Sequence, residues 1–328
     1  MEVTRQEWKP LSPELSDAVQ AFSDWSDHGL AQREKSEKIK DTLFHYTDAM
    51  GLDGIIKNQE MWFTHYLHLN DTSEFEFGMN IACQLADEKR KKHGGLTEIF
   101  CETLKRLARD PTVLERFAFF IASFSSKAND LGQWRAYGDN GRGYALGLSS
   151  HLFHATENPD TKKYANNVVV APVIYGERAG RKRHQPAIEK AVEIVDRAIR
   201  EMDNTRDPSV HEPFFDKLAI KVLACQIIWN NLTIKHEAFK DEAEVRMVIV
   251  GAAKLLAPDV LTRPSGGQII PFIKKHLPLQ TPGNIAKIWI GPAAAAPAEH
   301  GVRSLLRPFL PNPDEIIERS RIPYRPAR

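Results

Sequence analysis

The chain has 328 residues, a length that allows either one large domain or two. Its 44 lysine and arginine residues nearly balance its 43 aspartate and glutamate residues, giving a formal net charge of +1, so no whole-molecule field draws it to DNA or to anionic lipid. With 42% hydrophobic and 27% charged residues, the composition is that of a globular protein and excludes a disordered or fibrous chain.

No segment has the pattern of a membrane span or a secretion signal. The longest apolar run without Gly or Pro, Phe117 to Ala122, is far shorter than the roughly 18 residues that a membrane helix needs. The first eight residues mix acidic and basic side chains and contain no apolar stretch. Cys83, Cys101 and Cys225 fit neither a disulfide framework nor a Cys-x-x-Cys zinc site, which predicts buried free thiols. We therefore expect a cytoplasmic protein with no membrane partner.

Helical and strand patterns alternate in the first half of the chain. Leu15, Val19 and Phe22 recur at steps of four and three, which predicts a helical lead-in. A short strand from Leu43 to Thr47 is followed by Asp48, which can cap the next helix. The later elements predicted here are a strand at Met61 to Thr64, a helix from Thr72 to about Lys92, and a central strand, buried on both faces, at Phe117 to Phe124.

The second half repeats the mixture. Strands are predicted at Gly143 to Leu148 and at Val168 to Tyr175, where Pro172 indicates an edge or a bulge. Two apolar stripes predict helices, and two further strands follow at Glu244 to Val250 and at Ile285 to Ile290. Because the helices between the strands differ in length, the pattern favours an α+β fold over a doubly wound parallel sheet.

The most informative short stretch is Glu242-Ala243-Glu244-Val245-Arg246. On a strand, the period of two directs Glu242, Glu244 and Arg246 to one face. A carboxylate there can accept from a ribose hydroxyl and stabilise a cationic, oxocarbenium-like transition state. The alternative is an ordinary charged strand face with an ion pair.

Polar and aromatic groups elsewhere can complete such a cleft. His45-Tyr46-Thr47 ends a strand immediately before a helix, where side chains can project into a cleft. Ser123 and Ser125 share one face at the end of the central strand and are either substrate contacts or turn hydroxyls. Trp134 and Tyr137 can form a stacking wall for a flat cationic ring or can belong to the core.

Two further clusters are less suggestive. His65, His68, Asp71 and Glu74 follow one another at steps of three, but a turn at Asn70-Asp71 should separate them, so we predict no metal site. The run from Arg178 to His184 has the composition of a basic loop, either solvated or able to hold phosphates. Walker, Gly-x-Gly-x-x-Gly, Gly-x-Ser-x-Gly and His-Glu-x-x-His motifs are absent from the sequence.

The order of these blocks resembles a bacterial family called domain of unknown function 2971. The matching blocks are Leu43-Phe44-His45-Tyr46-Thr47, Met61-Trp62-Phe63, Leu69-Asn70-Asp71 with Glu74, Ser123-Phe124-Ser125, Gln133-Trp134 with Tyr137, Gly143, Val173-Ile174-Tyr175, Phe239-Lys240 with Glu242, Glu244 and Arg246, and Ile288-Trp289-Ile290-Gly291. The resemblance extends over about residues 43 to 292.

That family in turn resembles the ADP-ribosyltransferases, whose cleft uses a His or Arg, a Ser or Tyr, and a late Glu. The resemblance implies that His45 holds the NAD ribose and carboxamide side, that Tyr137 stacks on nicotinamide, and that Glu244 accepts from the ribose 2′-hydroxyl, with Glu242 orienting the nucleophile. NAD would be the co-substrate, and no metal is implied. The remaining expected cofactor contacts are Tyr46, Thr47, Ser123, Ser125, Trp134 and Arg246.

The resemblance implies an ADP-ribosyltransferase-like split antiparallel sheet within this α+β class at residues 43–310, with a helical insertion at about 184–230. A helical extension would occupy residues 1–42, and a tail residues 311–328. The leading hypothesis is transfer of ADP-ribose from NAD to an unknown protein or nucleic-acid acceptor, in a toxin or phage-defence setting that the resemblance suggests. The alternatives are NAD hydrolysis, a nucleotide or nucleic-acid binding module without chemistry, and an interaction protein in which Glu242, Glu244 and Arg246 form a structural ion-pair network.

Overall fold

A computed structural model of the chain describes residues 11–69, 73–153, 168–202 and 208–325. Within these ranges the helices are α1 (Pro13–Ser36), α2 (Ala49–Asn58), α3 (Ser73–His93), α4 (Gly95–Ala108), α5 (Pro111–Leu114), α6 (Leu131–Ala136), α7 (Glu177–Met202), α8 (Pro208–Val222), α9 (Ile228–Asn231), α10 (Ala253–Leu256) and α11 (Ala298–Leu306). The described part of the chain contains no helix with the length and apolarity needed to cross a bilayer.

The strands are β1 (Leu43–Thr47), β2 (Glu60–His65), β3 (Phe117–Ser125), β4 (Tyr144–Leu148), β5 (Val168–Pro172), β6 (Ile174–Tyr175), β7 (Ile234–Lys235), β8 (Glu244–Ala252), β9 (Leu261–Ser265), β10 (Gln268–His276), β11 (Ile285–Ile290) and β12 (Ile317–Arg319). This mixture of helices with a large, mostly antiparallel sheet confirms the predicted α+β class.

The described residues group into two compact units. The helical unit contains the described residues before Glu37 together with Ser73–Phe117 and Ile174–Glu237, and the sheet unit contains Glu37–Thr72, Ala118–Val173 and Ala238–Arg328. The predicted N-terminal extension and insertion therefore contribute to one helical unit, which also takes in residues 73–117. A continuous apolar core explains this grouping, since helices far apart in sequence bury their stripes against one another.

The helical unit confirms the stripe predicted near the amino terminus. Leu15, Val19 and Phe22 on α1 are all buried in its core, and Trp25 packs against the same cluster. Cys83 and Cys101 are buried free thiols as predicted, whereas the free thiol of Cys225 is half-buried. Burial raises the pKa of Cys101 to about 12.

The sheet unit is built around β3. Its strand order is β12-β11-β4-β1-β3-β2-β10-β9, and β8 pairs with both β3 and β5. Most pairings are antiparallel, whereas β11 and β12 are parallel. The apolar run that forms β3 is almost wholly buried, as a strand with neighbours on both edges and packing on both faces should be.

The predicted strand from Val168 to Tyr175 is two strands. β5 pairs with β8 in the large sheet, whereas β6 pairs in parallel with β7 in a two-stranded sheet. Pro172 is the last residue of β5. Periodicity did not reveal the break, because the apolar run continues through it.

Sequence patterns missed the β9–β10 hairpin. Gly266 and Gly267 connect its strands with φ angles of +54° and +77°, conformations that favour glycine in a two-residue hairpin turn. The Gly266-Gly267 pair was the one sequence feature that indicated a hairpin turn here. The flanking runs Leu261–Ser265 and Gln268–His276 each contain a proline and do not alternate clearly.

The segment predicted as a carboxyl-terminal tail instead extends the sheet. Ile317–Arg319 forms β12 beside β11, and the Ser320 amide donates to the carbonyl of Ile290 (2.8 Å). A three-residue strand is too short to produce a periodic signal, and here it covers an otherwise open sheet edge.

A buried ion pair in the helical unit yields a stability prediction. Lys235 Nζ on β7 lies 2.8 Å from Glu74 Oε1 on α3, and both side chains are less than 10% exposed. Lys235→Met should lower the free energy of unfolding by about 3 to 5 kcal/mol, because it removes the cation from a buried carboxylate. Chemical denaturation measures the effect. Arg181→Met in the exposed Arg181–Glu88 pair is the control, and should cost less than about 1 kcal/mol.

His184 on α7 makes stability depend on pH. Its pKa is lowered to about 3, because the side chain is fully buried and Arg183 and Arg33 add positive charge. The unfolded chain binds a proton below a pKa near 6.5 that the folded chain does not. The stability that the folded state gains by keeping His184 neutral is therefore complete above about pH 6.5. As the pH falls below this value, the free energy of unfolding decreases by about 1.4 kcal/mol per pH unit.

Urea denaturation of the natural chain and of His184→Gln should accordingly show a stability difference that shrinks by about 2 kcal/mol between pH 7 and pH 5. A difference that stays constant over this range would contradict the expectation.

Candidate functional site

The two faces of the sheet near β1 carry different groups. Leu43 packs in the apolar cluster that contains Val245 and Met247 of β8, whereas Phe44 and Tyr46 pack in a separate cluster. Because successive side chains of a strand point to opposite faces, His45 lies on the Leu43 face and Glu244 on the opposite face. We call the face that carries Phe44 and Glu244 the polar face.

The His45 side chain contacts β3 between the positions at which β1 and β2 pair with this strand. β1 pairs with β3 at Ser125, and β2 pairs with it at Phe120 and Ile121. Between these positions the ring Nδ1 of His45 donates to the carbonyl of Ser123 (3.0 Å). The imidazole thus donates to a backbone acceptor of β3 that lies between the positions paired with β1 and β2.

The surroundings favour the neutral form of the His45 imidazole. Burial lowers its pKa, although the hydrogen bond to the Ser123 carbonyl opposes this shift. Its ring lies 5.6 Å from that of Phe124, a member of the apolar cluster that contains Leu43. The structure therefore does not bring His45 to the face of Glu244, as one cleft would require.

Tyr46 and Trp134 stabilise the fold beside the site. Trp134 is fully buried, meets the Tyr46 ring edge to face at 4.8 Å, and donates to Asn129 Oδ1 (2.8 Å). The Tyr46 hydroxyl donates to the Lys127 carbonyl (2.9 Å) and accepts from the Asp130 amide (3.2 Å). Trp134 thus has no free ring face for a ligand, which differs from the predicted stacking wall.

Thr47 and Ser123 are half-buried. An added Cβ at Gly51 of α2 would lie 1.9 Å from Thr47 Oγ1, and one at Gly143 would lie 2.2 Å from the Thr47 carbonyl oxygen. Both glycines therefore permit backbone to approach Thr47 closely. The predicted Asp48 cap is confirmed, since its carboxylate accepts from the Gly51 amide (2.7 Å).

The polar face brings together Ser125, Tyr137 and Glu242. The Ser125 hydroxyl donates to the backbone carbonyl of Glu242 (2.7 Å). The Tyr137 hydroxyl donates to Glu242 Oε1 (3.0 Å). Ser125 is buried, whereas Tyr137 and Glu242 are half-buried. A partly accessible carboxylate is thus held in place through both its main chain and its side chain.

The backbone beside Glu242 does not continue the strand. Glu242 ends a 3-10 turn that starts at Glu237, and β8 starts only at Glu244. Ala243 between them has a φ of +45°, a left-handed conformation that is unfavourable for a residue with a Cβ. The predicted period of two therefore holds for Glu244 and Arg246 but not for Glu242.

Glu244 and Arg246 form a buried ion pair along β8. Arg246 Nε lies 2.8 Å from Glu244 Oε1, and its Nη2 lies 3.1 Å from Oε2. The two residues are 7% and 3% exposed. Because both carboxylate oxygens accept from one guanidinium, this glutamate is strongly oriented.

The other polar clusters behave differently from their sequence patterns. His65 and His68 lie near each other, with ring centroids 6.2 Å apart. Burial of the His65 ring, together with the charge of the nearby His68, lowers the pKa of His65 to about 4. Asn70 and Asp71 lie outside the described residues, and no cluster of three metal-ligating side chains occurs among those described. The basic run at Arg178 to His184 is part of α7 rather than a loop.

Sequence reasoning missed the role of Ala243, because no side-chain pattern marks a left-handed alanine. The sequence indicated a change of backbone direction at Ala243 only indirectly. A charged 3-10 turn directly before an apolar strand requires a change of backbone direction, and that change occurs at Ala243.

Comparison with known proteins supports the family resemblance. Residues 133–247 match a family model described as "Protein of unknown function (DUF2971)". The match includes Tyr137, Glu242, Glu244 and Arg246. Curated proteins gave no match to the chain. Solved structures gave none either.

Loss of the His45 imidazole should destabilise the sheet unit. His45→Ala leaves the Ser123 carbonyl without its donor, which should cost about 1 to 3 kcal/mol of unfolding free energy. Thermal and urea denaturation report the change. His276→Ala, at an exposed position on β10, is the control and should stay within about 0.5 kcal/mol. Equal stability of His45→Ala and the natural chain would mean that this hydrogen bond is not structurally important.

Proposed function

We propose that this chain is an ADP-ribosyltransferase-like enzyme that uses NAD as co-substrate and transfers ADP-ribose to a protein or nucleic-acid acceptor. The proposal includes the toxin or phage-defence setting that the family resemblance suggests. Its support is the order of the family blocks together with the arrangement of Tyr137, Glu242 and Ser125 on the polar face.

The observation that carries the proposal is the half-buried Glu242 carboxylate that accepts from the Tyr137 hydroxyl. In ADP-ribosyl transfer the glycosidic C–N bond breaks, and both of its electrons leave with nicotinamide. The ribose carbon then carries positive charge until the acceptor bonds to it and releases a proton to a base. A positioned carboxylate favours that charged state over the ground state.

Glu242 suits this task better than Glu244 does. Arg246 already neutralises the Glu244 carboxylate and engages both of its oxygens. Glu242 lies outside the strand and is held by Ser125 through its own carbonyl. We therefore assign ligand contact to Glu242 and Tyr137, and assign to the Glu244–Arg246 pair the positioning of β8 beneath them.

Tyr137 contributes both its ring and its hydroxyl. The ring can stack on the flat nicotinamide group, as aromatic rings do on cationic rings. The hydroxyl donates to Glu242, which fixes the orientation of the carboxylate before the ligand arrives. His45, which is bound to Ser123 on the other face, takes no part in this arrangement.

A second candidate is a nucleotide-binding module without chemistry. The buried Glu244–Arg246 pair favours it, because an arginine-neutralised glutamate contributes less negative charge to a reacting sugar than a free carboxylate does. In that case ligand binding would survive loss of either glutamate.

Release of nicotinamide from NAD by the pure chain, with and without cell-derived acceptors, tests the proposal. Glu242→Gln should reduce the rate by about 100-fold or more. Glu244→Gln should mainly lower the melting temperature, since it breaks a buried pair. Asp241→Asn, at an exposed position beside the site, is the control and should retain full activity.

Several outcomes would decide against the assignment. Absence of nicotinamide release in every condition would contradict the enzyme. Tight NAD binding without turnover, measured by calorimetry and unchanged in Glu242→Gln, would favour the binding module. A folded Glu244→Gln variant that loses all activity while Glu242→Gln stays active would transfer the catalytic role to Glu244.

A further inference from the structure

The hairpin missed by sequence patterns carries an aromatic surface. Trp62 of β2 pairs with Lys274 of β10, and Thr64 pairs with Phe272. Arg263 of β9 is paired with Ile270, so alternation places it on the same face. We call Trp62, Arg263, Phe272 and Lys274 the Trp62 platform. All four belong to the sheet unit.

Aromatic and cationic groups alternate closely within the platform. The rings of Trp62 and Phe272 lie 4.5 Å apart. The Arg263 guanidinium lies 5.3 Å from the Trp62 ring and 5.8 Å from the Phe272 ring, and Lys274 Nζ lies 5.7 Å from Trp62. Trp62 nevertheless keeps 38% of its surface exposed. Unlike Trp134, it therefore retains surface that a ligand can contact.

The charge of Arg263 is only partly compensated. Its Nη2 donates to Thr64 Oγ1 (3.1 Å), and it forms no ion pair with any described residue. Its Nε is buried without a hydrogen-bond partner among the described residues, and burial lowers the pKa of the guanidinium. Lys274 has Glu60 at 2.9 Å but is 37% exposed at its side chain. An incoming anion would pair with the positive charge that no carboxylate among the described residues balances on Arg263.

We propose that the Trp62 platform binds single-stranded nucleic acid, with an unpaired base stacked on Trp62 and the adjoining phosphates contacting Arg263 and Lys274. Aromatic side chains on a sheet surface, flanked by cations, are the features by which proteins bind single strands without reading their sequence. A duplex keeps its base faces stacked on one another, so it cannot use the ring. This binding does not depend on the proposed enzymatic activity.

Charge distribution favours a nucleic-acid strand over an acidic peptide. The whole chain is nearly neutral, so attraction has to be local, and a peptide carboxylate would use the cations without needing the exposed indole. A strand of bases and phosphates uses both. Its sugar-phosphate repeat also presents a base beside each charge.

The test measures the affinity of the full chain for a fluorescently labelled oligothymidine of about twelve nucleotides, by fluorescence anisotropy. Trp62→Ala should weaken binding about tenfold or more, and Trp62→Phe, which keeps an aromatic ring, should retain most of the affinity. If Arg263 and Lys274 contact two phosphates, the logarithm of affinity should fall with the logarithm of salt concentration with a slope of about −1.4, and Arg263→Gln should reduce this slope to about −0.7.

Two matched controls lie on the opposite face of β10. Lys275→Gln, beside Lys274, and Ile269→Ala, an exposed apolar side chain at the hairpin, should leave affinity within about twofold. Circular dichroism melts would show that every variant compared is folded.

Three results would overturn the proposal: no binding at 100 µM oligonucleotide at low salt, equal affinity for the matching duplex, or full affinity in folded Trp62→Ala. Binding of an oligoglutamate peptide with the same dependence on Trp62 and Arg263 would replace nucleic acid by an acidic peptide as the ligand. A loss of nicotinamide release in Glu242→Gln with unchanged oligonucleotide binding would separate this surface from the proposed enzyme.

Discussion

The sheet depends on one constraint at β3: this strand has two edges but three neighbours. The backbone groups of alternate residues point to opposite edges of a strand. β1 pairs with β3 at Ser125 and β2 pairs with it at Phe120 and Ile121, whereas the Ser126 amide donates to the Ala243 carbonyl beside β8. The Ser123 carbonyl lies between the positions paired with β1 and β2, and it accepts from Nδ1 of His45. This histidine therefore has a structural reason for its place that requires no ligand.

The same geometry determines which residues can act together. β1 alternates between the apolar cluster and the polar face, and β8 does the same. His45 and Glu244 follow opposite phases of that alternation, whereas Ser125 shares the face of Glu244. The three positions that the family resemblance brings together therefore separate into two groups. His45 donates to the Ser123 carbonyl of β3, whereas Ser125 lies on the face of Glu244, where the Glu242 carboxylate accepts from Tyr137.

Sequence patterns predicted what depends on periodicity alone. The stripe through Leu15, Val19 and Phe22 gives α1, and the continuous apolar run gives the buried β3. Long-range pairing left no local trace, so β12 and the β9–β10 hairpin were missed. At the candidate site, the predicted facing directions hold for Glu244 and Arg246 inside β8 but not for Glu242, where the regular strand backbone has not yet begun. Glu242 lies two residues before the first residue of β8, and a period of two applies only inside a strand.

Ala243 carries backbone strain directly beside Glu242. A left-handed alanine costs roughly 1 to 2 kcal/mol relative to ordinary conformations, and glycine would avoid much of that cost. The conformation persists because three contacts hold it: its carbonyl accepts from Ser126, its amide donates to Lys240, and the Glu244 carbonyl accepts from Val173. Relaxation of Ala243 into extended backbone would change the backbone direction between Glu242 and β8. Since strained residues persist only where surrounding structure holds them, and cluster at functional sites, the left-handed Ala243 favours a ligand-facing role for Glu242 over that of an incidental surface charge.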